Sequence, residues 1–404
     1  MNGAYSAIRV TERVYWVGAR DWAVRNFHGY ETDRGTTYNA YLVMGDKPIL
    51  IDTVKAQFFP EMMARITSVT DPGNIRYIIS NHAEMDHSGA LPQTIAAVKP
   101  EAVYASALGV KALSEHFHLK EEIRAVRNGE KLCLGNQEFS FLETRMLHWP
   151  DSMVSYLSGD GILFSQDGFG MHLCSTELYA DELPKDILYH EASKYFANIL
   201  MPYSGLVKKL VSDLPNLGLH ISMLAPDHGP VWRRLEDISY IIGLWGNWSL
   251  QKPSRKAVIF YDTMWGSTAS MASAISEGLI EGGCSVKLMP LQSCHRSSVA
   301  AELLEAGALL AGSPTINNGI FPSVADVMTY LKGLKPQNKV GTSFGSYGWG
   351  GEAAGQLSEF LKCMNLEQAG EPLKVKYVPD QTALRLCREL GSKIALALQK
   401  KCSP

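Results

Sequence analysis

The residues with the densest chemistry lie in Asn81-His82-Ala83-Glu84-Met85-Asp86-His87-Ser88-Gly89, where His82, Glu84, Asp86 and His87 fall within six positions. Imidazole nitrogen and carboxylate oxygen at that density suit a metal or catalytic site. The plain alternative is a solvated polar loop at a charged helix start. In an extended loop side chains alternate, so His82, Glu84 and Asp86 would point to one side. Three further donors stand beside apolar strands: His148 in Met146-Leu147-His148-Trp149-Pro150-Asp151, Asp167 after Leu163-Phe164-Ser165-Gln166, and His228 in Leu224-Ala225-Pro226-Asp227-His228-Gly229. Singly, each reads as an ordinary polar residue. With the 82–87 loop they supply enough imidazole and carboxylate for two metal ions.

A second kind of chemistry belongs to the C-terminal part. Asp262-Thr263-Met264-Trp265-Gly266-Ser267-Thr268 ends a strand and leads into a helix. It is not the glycine-rich dinucleotide pattern. Its hydroxyls and backbone N–H groups can surround a phosphate at a helix N-terminus; without a ligand it is an N-capping turn. Ser313-Pro314-Thr315-Ile316-Asn317-Asn318-Gly319 and Gly345-Ser346-Tyr347-Gly348-Trp349-Gly350-Gly351 follow two further strands. All three loops fall at carboxyl ends of parallel strands, where such sheets bind ligands.

The elements that must position these residues divide in two. Val14–Val17, Thr37–Val43 and Pro48–Asp52 read as strands, followed by an apolar, β-branched strand over 75–80 and an Ala-rich helix running to Val98. Ala102–Ala105 is a strand, and Ser106 caps a helix to His116. Strands at 139–142, 154–157 and 162–165 precede helices between Pro184 and Asp213. Strands then helices, twice over, predict two sheets packed face to face with helices outside. Gln251-Lys252-Pro253-Ser254-Arg255 interrupts the pattern and marks a boundary, giving expected domains of 1–250 and 255–404. Trp245 and Trp248 before it read as packing residues. Beyond it, strands at 257–261, 286–289, 308–312, 340–344 and 375–378 alternate with helices at 268–282, 298–306, 322–334, 352–364 and 380–400. Five such units predict a doubly wound parallel sheet.

Composition sets the bounds. The chain has 404 residues, 46% of them hydrophobic and 20% charged, as in a globular protein. A net charge of −3 and a pI near 6.4 argue against nucleic acid or an anionic membrane as partner. The N-terminus lacks a signal-peptide pattern, no apolar stretch is long enough to span a bilayer, and the seven scattered cysteines include no C-x-x-C pair. The expected setting is the cytoplasm, with reduced thiols.

The spacing of the metal-capable residues resembles the metallo-β-lactamase fold family, whose loop usually reads His-x-His-x-Asp-His. Glu84 stands where the hydrolases have histidine. A mixed imidazole and carboxylate set suits iron at least as well as zinc. Joined to a flavodoxin-like domain, it resembles the flavodiiron proteins over nearly the whole chain. That resemblance implies a metallo-β-lactamase-like αββα sandwich before a flavodoxin-like domain. It also implies one iron held by His82, Glu84 and His148, a second by Asp86 and His228, and Asp167 between them at a metal separation of roughly 3.5–4 Å. His87 is either a ligand of the second iron or a hydrogen-bonding neighbour. His28 and Tyr195 match family positions that could donate a proton or hydrogen bond, or are buried polar residues bonded to backbone. His116, His118, His172, His190, His220 and His295 read as surface or packing residues. The 262–268 loop resembles the flavodoxin loop that holds the FMN phosphate, with amide and backbone groups of 313–319 at the ring's polar edge and Tyr347 or Trp349 flanking it.

The resemblance further implies electrons passing through FMN to the iron pair, dioxygen reduced to water or nitric oxide to nitrous oxide, or both, and a head-to-tail homodimer or dimer of dimers. No rubredoxin domain follows before Pro404, so the expected donor is a separate rubredoxin or similar protein, with a reduced deazaflavin as the other choice. Two rival readings stand beside it. One is a zinc hydrolase of metallo-β-lactamase fold fused to a flavodoxin-like domain. The other is an electron carrier or redox sensor with a structural metal site.

Overall fold

Short β-branched runs make the first sheet. Its strands β1 (Ile8–Arg9), β2 (Val14–Trp16), β3 (Tyr41–Val43), β4 (Ile49–Ile51), β5 (Tyr77–Ile79), β6 (Ala102–Ser106) and β7 (Ile123–Val126) stand in chain order. The first four run antiparallel, and β4 to β7 are parallel. The computed structural model describes residues 4–403. Met1, Asn2, Gly3 and Pro404, at the outer limits of the two expected domains and of the stretch read for a signal peptide, lie outside the described residues. A second sheet follows, again in chain order: β8 (Lys131–Leu134), β9 (Gln137–Glu143), β10 (Met153–Leu157), β11 (Ile162–Gln166) and β12 (Met223–Pro226), with β11 and β12 parallel.

The period of two explains the layers. Tyr41, Val43, Ile49, Ile51 and Ile79 face Phe139, Phe141, Met153, Leu157 and Phe164 of the second sheet in one buried cluster. Their neighbours Leu42, Leu50 and Ile78 point the other way and pack with Met62, Ile66, Leu91, Ile95 and Leu113 from helices Phe59–Thr67, Leu91–Val98 and Ala107–Phe117. This is the expected pair of sheets with helices outside. Ser106 caps its helix as read, its hydroxyl accepting from Gly109 N–H at 2.9 Å.

The remaining strands form a wholly parallel sheet. β14 (Ser285–Pro290), β13 (Lys256–Tyr261), β15 (Ala308–Gly312) and β16 (Val340–Tyr347) lie in that order, and β16 pairs on its far side with β17 (Glu367–Gln368) and then β18 (Leu373–Lys376). With β17 and β18 sharing the fifth place, the order is that of a flavodoxin-like doubly wound sheet. Ala257, Ile259, Leu310 and Val340 pack under helices Ser267–Glu281 and Gln381–Cys402.

The chain makes two compact units: Met1–Phe27, Thr32–Tyr195 and Gly205–Gly246 in the first, His28–Glu31, Phe196–Ser204 and Asn247–Pro404 in the second. Trp245 is buried in the first, 4.5 Å between centroids from Phe169. Trp248 is buried in the second, 5.5 Å from Phe196. Three local expectations need correction. Residues 82–87 are not one extended loop: Met85–Ser88 is a helical turn, with His87 N–H bonded to Glu84 O at 3.0 Å. β16 runs on through Tyr347 because β18 continues the ladder beside it. The last strand stops at Lys376, and Tyr377 takes a left-handed φ of 56°.

Lys339 is buried, its ammonium donating to Leu304 O at 3.1 Å. Burial, with the nearby Lys256 charge, pushes its pKa down from 10.5 to about 7. The unfolded chain therefore binds a proton here that the folded chain releases between about pH 7 and 10.5, so stability rises with pH across that window. Lys339→Met removes the slope. Its urea midpoint should exceed the parent's at pH 7, by a margin worth at least about 1 kcal/mol, and the margin should shrink as pH rises. A margin independent of pH would contradict this.

Candidate metal centre and cofactor cleft

Every metal-capable residue singled out in the first unit sits where a strand gives way to a loop. His82 to His87 follow β5, His148 lies between β9 and β10, Asp167 directly follows β11, and His228 follows β12. The fold gathers the seven into two groups, buried apart from the half-buried His148: His82, Glu84, His148 and Asp167 in one, Asp86, His87 and His228 in the other. The helical turn at Met85–Ser88 sends Asp86 and His87 away from His82 and Glu84, so the period-two placement of Asp86 fails. Asp167 joins the groups. Its Oδ2 lies 3.3 Å from His82 Nε2 and 3.2 Å from His148 Nε2. Its Oδ1 lies 3.3 Å from His87 Nε2 and 3.6 Å from His228 Nε2.

The imidazoles are oriented from behind. His82 Nδ1 is 3.1 Å from Asp151 Oδ2, His228 Nδ1 is 2.6 Å from Thr37 O, and His87 Nδ1 is 3.5 Å from Asp227 Oδ2. A proton on Nδ1 of His82 and of His228 leaves their Nε2 lone pairs free to aim inward. His82 Nε2 and Glu84 Oε2 pair at 3.3 Å, but other inward atoms do not satisfy one another. Both oxygens of Asp86, both ring nitrogens of His87 and Oδ2 of Asp167 are buried without an aligned hydrogen bond. Donor atoms that converge within 3.1–3.6 Å yet miss hydrogen-bond alignment fit a cation set among them. His148 is the one imidazole of the set with an appreciably exposed side chain, at 18%.

Charge supports the same fit. Asp52, Glu84, Asp86, Asp151, Asp167 and Asp227 are all buried in this region. Without metal, protons on the imidazoles are the available counter-charge. Burial opposes the His82 cation, yet Asp151 and Glu84 hold its pKa well above the ordinary value. Burial is likewise outweighed at His87 by Asp86 and Asp227, which raise it to about 10, and at His148 by Asp167 and Glu84, which raise it to about 9. Burial lifts Asp227 well above the usual carboxylate range, with Asp52 adding to it. Buried acids in excess of permanent cations make a site for metal ions.

Sequence reasoning missed several supports. Asp151 also accepts Ala83 N–H at 2.6 Å. Asp52, at φ 53°, accepts the backbone and side-chain N–H of Asn81, each at 2.7 Å, and so fixes the start of the metal loop. Gln166, at φ 47°, donates to Leu147 O at 2.5 Å and accepts Asp227 N–H at 2.8 Å. It thereby ties the His148 and His228 loops to Asp167. Acids just beyond apolar strands were the available signal for Asp52 and Asp227. His172, set aside as a packing residue, is buried with its ring 4.6 Å from that of His228 and its Nδ1 3.0 Å from Thr36 Oγ1. Tyr195 is buried at the end of helix Lys185–Tyr195, 5.1 Å from the His172 ring and 6.4 Å from that of His228. Burial and the Asp167 charge hold its phenol well above 10. His28 falls in the second unit, exposed, on a turn with φ 54°.

In the second unit, a cleft of about 590 Å³ opens at the carboxyl ends of β13, β15 and β16. Met264, Trp265, Ser267, Pro314, Thr315, Ile316, Asn317, Ser346, Tyr347, Gly348 and Trp349 line it as expected, and no lining residue is charged. Thr263, Gly266, Thr268, Asn318, Gly319, Gly350 and Gly351 lie outside the lining. Four of them are bonded nearby: Thr268 Oγ1 bonds Ser346 Oγ at 2.9 Å, Thr263 Oγ1 accepts Gly266 N–H at 3.0 Å, and Asn318 O accepts from Gln356 at 3.2 Å. Asp262 is occupied by Thr263 N–H at 2.7 Å and Ser323 Oγ at 2.5 Å. Gly266, at φ 86°, caps helix Ser267–Glu281 without a side-chain bond, leaving the first-turn N–H groups available to an anion. Tyr377 and Val378 complete the wall, a fourth strand-end contribution the sequence did not signal. Trp265 is 93% exposed and Trp349 87%, flat aromatic faces suited to stacking on a planar ring.

Comparison with known proteins agrees with the fold. Residues 36–229 match the ODP family beta lactamase model and residues 259–391 the flavodoxin model. The chain is 43% identical to the rubredoxin-oxygen oxidoreductase of Megalodesulfovibrio gigas over 98% of its own length and 99% of the relative's. It is 42% identical to a nitric oxide reductase of Moorella thermoacetica over 96% and 98%. The crystal structure of the flavodiiron protein from Giardia intestinalis, 30% identical, superposes with a TM-score of 0.94 over 99% of each chain.

Asp151→Asn should weaken metal retention by roughly 10–100-fold, because the carboxylate that orients His82 is lost. Metal per chain after dialysis against graded chelator measures this, with circular dichroism as the check on folding. Retention equal to the parent's would show that Asp151 has no such role.

Proposed function

Because the chain belongs to the flavodiiron proteins, we propose that it is a reductase that takes electrons from a donor through FMN to a non-haem diiron site, where dioxygen is reduced to water, nitric oxide to nitrous oxide, or both. The observation that carries this reading is the Asp167 carboxylate, whose two oxygens face two separate groups of buried ligand atoms. We assign 1–250 as the diiron domain and 255–404 as the FMN domain. His82, Glu84 and His148 would hold one iron, Asp86, His87 and His228 the other, with Asp167 between. The grouping of His87 with Asp86 and His228 supports ligation over an outer hydrogen bond.

An iron pair supplies two electrons at one place to a small gas molecule, and FMN supplies those electrons in single steps. The chain's own residues do the rest. Asp151 and Thr37 O fix the tautomers of His82 and His228. Glu84 brings oxygen where the zinc hydrolases bring nitrogen, which favours iron. Tyr195, kept protonated by burial, can donate its O–H toward the centre, and His28 is assigned a like role. Ser267 and the first-turn N–H groups of its helix would hold the FMN phosphate, 314–319 would offer polar groups to the ring, and Trp349 or Tyr347 an aromatic face. The donor is rubredoxin or a similar protein. The active form is a head-to-tail homodimer, or a dimer of such dimers, in the cytoplasm. No helix among the described residues is long and apolar enough to cross a membrane.

Anaerobic stopped-flow reoxidation of the fully reduced protein, with each gas offered separately, tests the reading. We expect reoxidation within the millisecond-to-second range by at least one gas. Slow reoxidation by both would favour the carrier or sensor reading, and two zincs without iron would favour the hydrolase. Glu84→His should raise the zinc-to-iron ratio and lower turnover by roughly 100-fold or more. Unchanged metal preference would remove Glu84 from this role.

A further inference from the structure

Helix Lys185–Tyr195 turns one face inward. Leu188, Glu191, Ala192 and Tyr195 recur at three- and four-residue spacing, and all four are buried. Leucine and alanine belong on such a face; a glutamate rarely sits there without a partner or a task. The first unit holds this helix and every residue named below.

Glu191 is only partly satisfied. Its Oε1 lies 3.3 Å from Arg34 Nε, but its Oε2 is buried with no hydrogen-bond partner among the described residues. Burial lifts its carboxyl to about 7, against the pull of Lys194 and Arg34 and with Asp33 adding to the rise. These three are the charged groups that face it. A carboxyl in that condition takes up and gives away a proton near neutrality.

The surroundings of Glu191 run from solvent toward the metal ligands. On the outer side, the Arg34 and Asp33 side chains are half-exposed, and the buried Lys194 Nζ donates to Asp33 Oδ2 at 2.6 Å. The same stretch continues inward: Thr36 Oγ1 is 3.0 Å from His172 Nδ1 and 3.1 Å from Nδ1 of the ligand His228. On the helix, Tyr195 stands one turn beyond Glu191 on the same face, where side chains four apart are neighbours and lean toward the helix N-terminus. Its ring lies 5.1 Å from that of His172. Residues 33–36 and 191–195 thus lead side by side from half-exposed charges to the edge of the metal centre.

We propose that Glu191 is a proton relay for the diiron reaction, loaded from solvent at the Asp33-Arg34 turn and acting on the bound gas through Tyr195. The proposal rests on the reductase reading and on the donor role assigned above to Tyr195. That reading requires a proton supply. Dioxygen becoming two waters consumes four electrons and four protons, and two nitric oxides becoming nitrous oxide and one water consume two of each. The electrons come through the flavin and the protons come from solvent. In each transfer the Glu191 O–H bond breaks, a bond forms to the Tyr195 oxygen as the phenol's own proton leaves inward, and water reprotonates the carboxylate.

The test uses the FMN- and iron-loaded full chain, reduced anaerobically and reoxidised by each gas across a range of pH. In the parent, the rate should fall as pH rises through about 7, because the protonated carboxyl is the donor. Glu191→Gln should keep its iron and flavin, react roughly 100-fold more slowly on the acid side and lose the pH dependence. Glu191→Asp should recover part of the rate. Arg34→Gln, which removes a cation facing the carboxylate, should move the fall to higher pH. Infrared spectra give a readout apart from activity: a buried carboxyl C=O band should fade through the same pH range in the parent and be missing in Glu191→Gln. Parent rates and pH profile in Glu191→Gln would overturn the relay, and so would absence of the band from the parent. A Glu191→Gln protein that is slower at every pH but keeps the parent's fall has lost only structure, and overturns it too. A parent with the band that neither gas reoxidises would overturn the reductase reading itself, and the relay would fall with it for want of a reaction to feed.

Discussion

The structure of the first unit depends on one shared carboxylate. Asp167 presents each oxygen to a different pair of imidazoles, and so joins the two groups of ligands. Its position is over-determined. β11 delivers it between β10 and β12, and Gln166 before it, in a left-handed conformation, holds the His148 loop by its side chain and the Asp227 backbone by its carbonyl. Strain at Gln166 and Asp52 beside the site is the expected cost of aiming several loops at one point. The apolar cluster between the sheets supplies the rigidity that bears it.

The surrounding acids define what the centre can accept. Isolated carboxylates buried this deeply would take up protons. Here, apart from Asp52 and Asp227, they are set against imidazoles, of which those of His82 and His228 have Nδ1 committed outward. The arrangement is therefore neutralised either by protons on Nε2 or by metal ions in their place, and binding of metal displaces protons from the same atoms. The second unit solves a different problem with different means. Its cleft has no charged lining, so an anion there relies on hydroxyls and a helix N-terminus, and a flat ring relies on exposed indole faces.

Much of this was legible in the sequence because strand period, strand ends and loop composition are local signals. Alternating apolar residues at 41–43 and 49–51 announce a two-sided strand, and five regularly spaced βα units announce the parallel sheet. His82, Glu84, His148, Asp167 and His228 could be picked out because each follows or adjoins such a strand. What was not legible depended on contacts far apart in the chain. Asp151 lies 69 positions from His82, and Thr37 lies 191 from His228. The helical turn at Met85–Ser88 was hidden because four residues carry too little periodicity to distinguish a turn from an extended loop. Tyr377 gave no signal because its role follows from where β18 stops.

Low-temperature magnetisation of the iron-loaded, oxidised protein tests the central claim most directly. Two irons bridged through Asp167 should couple antiferromagnetically and give a moment far below that of two independent high-spin ferric ions. A moment equal to the sum of two isolated ions would contradict a centre built on one shared carboxylate.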